Sequence, residues 1–115
     1  MGGKMSAYIY IAGPYSKGDC VTNTADVIRM ADCLALHGHV PFVPHLTLFW
    51  HFLSPHDIEF WYQYDLAWLD KCDCLLRLPG ESAGADDEVS VAIKRGKRVY
   101  FTLKDCLNGE GWGYK

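Results

Sequence analysis

Glu88 lies at the end of the run Leu78-Pro79-Gly80-Glu81-Ser82-Ala83-Gly84-Ala85-Asp86-Asp87-Glu88, a Gly-containing turn that follows an apolar segment and leads into a helix-like one. Asp73-Cys74-Leu75-Leu76-Arg77-Leu78 reads as a buried strand, and Val89 to Lys97 reads as a helix closed by Gly96, so Glu88 is expected in the first helical turn. In open α/β sheets, ligands bind outside the carboxyl ends of the strands, and a carboxylate held there suits a nucleophile. The competing reading is that Asp86, Asp87 and Glu88 only complement the helix dipole. A second turn, Gly13-Pro14-Tyr15-Ser16-Lys17-Gly18-Asp19, follows the first apolar run. Its glycines let backbone N–H groups approach a ligand, and Ser16 and Lys17 can meet an anion, although an ordinary flexible turn has the same composition. Neither the P-loop spacing nor a G-x-G-x-x-G fingerprint is present, which removes support for ATP hydrolysis and for dinucleotide redox chemistry.

The elements that would position these turns alternate in type. Tyr8 to Ala12 reads as a first strand, about Thr22 to His37 as a helix with Val27, Met30, Ala31, Leu34 and Ala35 on one side, and His39 to Val43 as a second strand. Pro41 and Pro44 suit a sheet edge, because proline cannot donate to the ladder. Asp57 to Lys71 is an amphipathic helix carrying Phe60, Trp61, Tyr64 and Trp68. A third strand begins at Asp73, a third helix at about Ala85, and Arg98 to Phe101 forms a fourth strand. Repeated β-α-β units with short connections predict one α/β domain over residues 1–115, a Rossmann-like or flavodoxin-like parallel sheet of four to five strands with helices on both faces.

Composition narrows the function classes. With 115 residues, half of them hydrophobic, the chain can bury one small core. A net charge of -3 with no basic cluster argues against a duplex nucleic-acid partner, and small anionic ligands stay open. No segment has the length of a membrane span, and no signal-peptide core is visible, so a cytoplasmic location is expected. The odd set of five cysteines fits free thiols in a reducing compartment. Cys72 and Cys74 are expected on one face of a strand, but their spacing matches no zinc pattern, so neither a metal nor another cofactor is expected. Met1-Gly2-Gly3-Lys4-Met5-Ser6 formally fits a myristoylation pattern and equally fits a few residues ahead of a start at Met5.

Three runs in order carry a family resemblance: Tyr10-Ile11-Ala12-Gly13-Pro14, Tyr64-Asp65-Leu66-Ala67-Trp68-Leu69-Asp70-Lys71-Cys72-Asp73, and Ser82-x-Gly84-x-x-x-Glu88-x-x-x-Ala92. Together they resemble the nucleoside 2-deoxyribosyltransferases and their relatives that hydrolyse nucleoside 5'-monophosphates at the N-glycosidic bond. The resemblance spans nearly the whole chain. It implies Glu88 as catalytic glutamate, Asp65 as the aspartate near the base, and Tyr10 as the tyrosine that orients the nucleophile. Asp73 matches a further acidic position whose role is structural or functional. The chemistry is coherent on its own terms. A C1'–N bond breaks through an oxocarbenium-like centre, so Glu88 can add to C1' while Asp65, with a pKa raised by its apolar neighbours, protonates the departing base.

The substrate set is read from the same turns. Ser82, six residues before Glu88, matches the phosphate-contacting serine of the monophosphate hydrolases, where the transferases tend to carry aspartate. With Gly84, Ser16 and Lys17 it would complete an anion site, with Gly13, Pro14 and Tyr15 alongside. The first loop is less arginine-rich than in those hydrolases, and the tail Asn108 to Lys115 is short for the C-terminal residues with which the transferases complete a neighbour's site, which weighs against transfer to a second base; transfer and hydrolysis both stay open. His45 is expected near the base or sugar, whereas His37 and His39 are read as complements to a helix dipole. The aromatic segment Pro44 to His51 is expected to be a lid or a subunit contact in a homodimer or larger homo-oligomer. The alternatives are a nucleotide-binding or sensing module on the same scaffold and a cytokinin-phosphoribohydrolase-like enzyme. Pro79-Gly80 ahead of Gly84 suggests the latter, but Glu81 and Ser82 interrupt its Gly-rich run.

Overall fold

The computed structural model describes residues 6–111; the myristoylation-type start and the last four residues of the tail lie outside them. Four parallel strands form one sheet in the order β2-β1-β3-β4. They are β1 (Tyr8–Ala12), β2 (Val40–Phe42), β3 (Cys74–Arg77) and β4 (Arg98–Tyr100). β1 and β3 are central and buried on both faces, as their unbroken apolar runs require. β2 is an edge strand with Pro41 opposite Ile9, so the proline is accommodated where the sequence places it.

Strand alternation divides the core in two. Ile9, Ile11, Cys74 and Leu76 face α1 (Cys20–Leu36) and α5 (Leu103–Glu110), where Val27, Ala31, Leu34, Cys106 and Leu107 close the layer. Tyr10, Ala12 and Leu75 face the other way, onto α3 (Ile58–Lys71) and α4 (Ala83–Lys94) through Leu66, Leu69, Ala85 and Ala92. Cys72 belongs to this second layer and Cys74 to the first, which corrects the expectation that they share a face. Cys72 is the C-cap residue of α3, so strand alternation starts only after it.

Side-chain caps start α1, α3, α4 and α5. Asp19 accepts from the Val21 amide at 3.1 Å, Asp57 from Phe60 at 2.9 Å, Ser82 from Ala85 at 3.1 Å and Thr102 from Asp105 at 3.0 Å. Because Ser82 caps α4, that helix begins earlier than expected, and Glu88 sits in its second turn rather than its first. The segment after β2 is not a loop. It forms a 3-10 turn, Pro44–Leu46, and then α2 (Thr47–Leu53). α5 is a further addition, anchored where Tyr100 donates to Glu110 at 2.7 Å and Arg98 holds the same carboxylate. His39 is buried and bridges the two ends of the described chain. Its Nδ1 accepts from the Ala7 amide at 3.1 Å and its Nε2–H donates to the Gly111 carbonyl at 2.7 Å, so it is not a dipole complement. Asp73 accepts from the Tyr8 amide at 2.8 Å, a structural role.

Candidate active site

A cleft of about 900 Å³ opens at the carboxyl ends of β1 and β3. The turn after β1, the α2 segment, α3 and the start of α4 line it, and the strand order reverses between β1 and β3 at this point. Two glycines let the strand-end turns nest. A Cβ on Gly13 would lie 3.2 Å from the Cβ of Leu78, and one on Gly80, whose φ is +117°, would lie 2.7 Å from Pro14 Cγ. Arg77 then fixes the β3–α4 turn from inside. Its buried guanidinium donates to the carbonyls of Leu78 and Gly80 and to Asp86, the last at 2.8 Å. Nothing in the sequence marks Arg77 for this role, because a lone arginine at a strand end carries no spacing signal.

Glu88 and Asp65 line the same cleft from α4 and α3. Tyr10, fully buried on β1, donates its phenol O–H to Glu88 Oε2 at 2.6 Å. Burial pushes the Glu88 carboxyl up from its ordinary 4.5 to about 7, against the Tyr10 hydrogen bond that holds it down; Asp87 adds to the rise and Arg77 opposes it. Burial likewise raises Asp65 from 3.8 to about 7, with the Glu88 charge reinforcing it. Asp65 Oδ1 is buried without a hydrogen-bond partner among the described residues. The Tyr10 phenol is itself pushed up by burial and then by Glu88, so it remains a proton donor. The Tyr10 hydrogen bond favours the charged form of Glu88, and Asp65 has no such partner at Oδ1 among the described residues.

The remaining predicted residues divide into two groups. Gly13, Tyr15, His45, Ser82 and Gly84 line the cleft. Pro14, Ser16 and Lys17 do not; the Pro14 carbonyl accepts from His45, Ser16 is exposed, and Lys17 lies 3.8 Å from Glu81 on the surface. His45 is buried, donates Nε2–H to the Pro14 carbonyl at 2.9 Å, and meets Tyr15 edge-on with ring centroids 5.6 Å apart. Burial holds its pKa below the usual histidine value, and its Nδ1 has no hydrogen-bond partner among the described residues. Ser82 Oγ accepts from the α4 amide and still has its own O–H to donate. A Cβ at Gly84 would meet nothing within 4 Å, so the start of α4 is open towards the cleft.

Tyr62 and His51, like Arg77, are not singled out from sequence, whereas Trp61 is among the aromatics read on α3. Tyr62 on α3 donates to Asp87 on α4 at 2.6 Å and bridges the helices that carry the two carboxyls. His51 and Trp61 also line the cleft, and Trp61 Nε1–H donates to His51 Nδ1 at 2.8 Å. The aromatics of α3 are not a sealed core: Trp68 stacks on Phe42 with centroids 5.0 Å apart and stays partly exposed, and Trp61 and Tyr64 pack edge-on around Trp50. Among the described residues no group of histidine, cysteine and acidic side chains is arranged to hold a metal, and no helix is long and apolar enough to cross a membrane.

The family described as Domain of unknown function (DUF7768) matches residues 7–102. Among solved structures, the chain is similar to the 2-deoxyribosyltransferase from the psychrotolerant bacterium Bacillus psychrosaccharolyticus, with a TM-score of 0.61 and 20% identity over 81% of this chain and 69% of that one. At that identity the likeness establishes a shared fold. No curated protein sequence matches.

Proposed function

The chain belongs to the DUF7768 family, and from the geometry of its cleft we propose that it breaks the N-glycosidic bond of a (deoxy)nucleoside or its 5'-monophosphate and passes the sugar to water or to a second base. The observation that carries this reading is the 2.6 Å hydrogen bond from a fully buried Tyr10 to Glu88, in a cleft that Asp65 shares. Glu88 attacks C1' as the carboxylate while Asp65 delivers its proton to the leaving base, so bond breaking and charge neutralisation proceed together. Tyr10 holds one Glu88 oxygen and leaves the other free to attack.

Ser82, with its O–H available at the open start of α4, supports a substrate carrying a 5'-phosphate; the helix N-terminus and the Gly84 gap accommodate an anion there. The exposed apolar side chains of α2 and the start of α3, with Phe52 70% and Ile58 86% accessible, support coverage by a second copy in a homodimer or larger assembly. Five free thiols suit a reducing, cytoplasmic setting for residues 1–115 acting as one domain. Incubating the protein with deoxynucleosides and their 5'-monophosphates and following free base tests the reading. Release from at least one substrate, abolished by Glu88→Gln, is expected. Ligand binding with no release would leave a nucleotide-binding module on this fold.

A further inference from the structure

His51 lines the same cleft as Glu88, and its ring is fixed by two N–H donors on one nitrogen. Trp61 Nε1–H donates to His51 Nδ1 at 2.8 Å, and the His56 backbone amide donates to the same atom at 3.2 Å. A nitrogen that accepts two hydrogen bonds has no proton of its own, so the imidazole proton sits on Nε2. Trp61 also packs edge-on to the ring, with centroids 5.9 Å apart, which opposes a flip. Nε2–H has no protein partner among the described residues. Asp65 lies one helical turn after Trp61 on α3 and lines the same cleft, so a base placed against Asp65 shares that cleft with the ring that Trp61 holds.

We propose that His51 is a specificity-determining residue of the base pocket, whose Nε2–H donates to an acceptor on the base, a carbonyl oxygen or an unprotonated ring nitrogen. This rests on the nucleotide reading above and deepens it. The clasp on Nδ1 is what gives the site selectivity. With the tautomer fixed, a substrate that offers a donor at that point finds two opposed N–H groups, whereas one that offers an acceptor gains a hydrogen bond without reordering the ring.

The test measures Kd for the four common deoxynucleoside 5'-monophosphates and the matching deoxynucleosides by calorimetry on the wild-type protein, His51→Phe and His51→Gln, together with histidine ¹⁵N spectra of the wild type. The glutamine amide reproduces a donor near the Nε2 position and phenylalanine does not. The wild type should prefer some of the four, His51→Phe should weaken those about tenfold and flatten the preference, and His51→Gln should restore most of it. The spectra should show His51 protonated at Nε2 in the free protein, with that resonance moving when a preferred nucleotide is added, a readout that survives even if a variant folds poorly. Unchanged Kd values in His51→Phe, a glutamine variant as weak as the phenylalanine one, or a proton on Nδ1 would overturn the role of His51 while leaving the nucleotide reading intact. Failure of the wild type to bind any of the four, or any of the matching deoxynucleosides, would overturn the nucleoside or nucleotide reading itself and this inference with it.

Discussion

Tyr10→Phe isolates the interaction on which the proposed chemistry depends. The phenylalanine ring occupies the same fully buried space and keeps its contact with Phe42, whose centroid lies 5.5 Å away, so the fold is retained and only the O–H is lost. A hydrogen bond to a charged group is worth roughly 1.5–3 kcal/mol, and about 1.4 kcal/mol corresponds to one pKa unit. The Tyr10 bond lowers the Glu88 pKa, so its loss raises that pKa further above about 7, by roughly one to two units. The acid limb of the pH–rate profile marks protonation of the nucleophile, and it should move up by the same amount. At pH 7 the ionised fraction, and with it kcat/KM, should fall about five- to fiftyfold. Steady-state release of free base across pH 5 to 9, with thermal unfolding as a control on folding, measures this. A uniform fall in rate with an unmoved acid limb would refute the claim that Tyr10 acts by stabilising the Glu88 carboxylate.

Glu88→Gln should stabilise the protein at neutral and alkaline pH. The folded pKa of about 7 lies above the ordinary 4.5, so the native state keeps a proton that the unfolded chain releases, and wild-type stability falls as pH rises through that window. Denaturant unfolding should show no difference below pH 4.5 and an advantage for the variant of up to about 3 kcal/mol above pH 7; an equal difference at all pH values would contradict the raised pKa. Asp65→Asn should slow substrates whose leaving base needs protonation far more than those with activated leaving groups, measured as kcat for a matched series, and equal losses would reduce Asp65 to positioning the base. Ser82→Ala removes the α4 cap, lowering stability by about 1 kcal/mol, and should narrow the preference for 5'-monophosphates over nucleosides about tenfold in kcat/KM; an unchanged preference would place the phosphate elsewhere.

Strand and helix order was legible because each element carries a local signal. β1 and β3 are uninterrupted apolar runs, Pro41 marks the edge, and Gly38 and Gly96, both at positive φ, stop helices where the periodicity ends. Glu88 was legible from the turn it follows, whereas Asp65, inside a helix, and Tyr10, inside a strand, were legible only through the family resemblance; that Glu88 and Asp65 line one cleft and Tyr10 bonds to Glu88 depends on the crossovers. α2 was missed because Thr47 to Leu53 buries no residue fully and has no polar cap, so its aromatic sequence resembles a lid more than a helix. α5 was missed because its short, polar sequence is held by Arg98, Tyr100 and Glu110, contacts that cross from β4. His51 and Arg77 gave no signal, since what defines them is which donors and carbonyls surround them in three dimensions.

Covalent capture tests the central claim most directly. A substrate with fluorine at the sugar 2-position destabilises the oxocarbenium-like centre and slows release of a glycosyl-enzyme intermediate. Intact-mass analysis after a short incubation should show one added sugar or sugar phosphate per chain, and peptide mapping should place it on Glu88, absent in Glu88→Gln. Base release from the same substrate with an unmodified protein mass throughout, or an adduct on any other residue, would contradict the assignment of Glu88 as nucleophile.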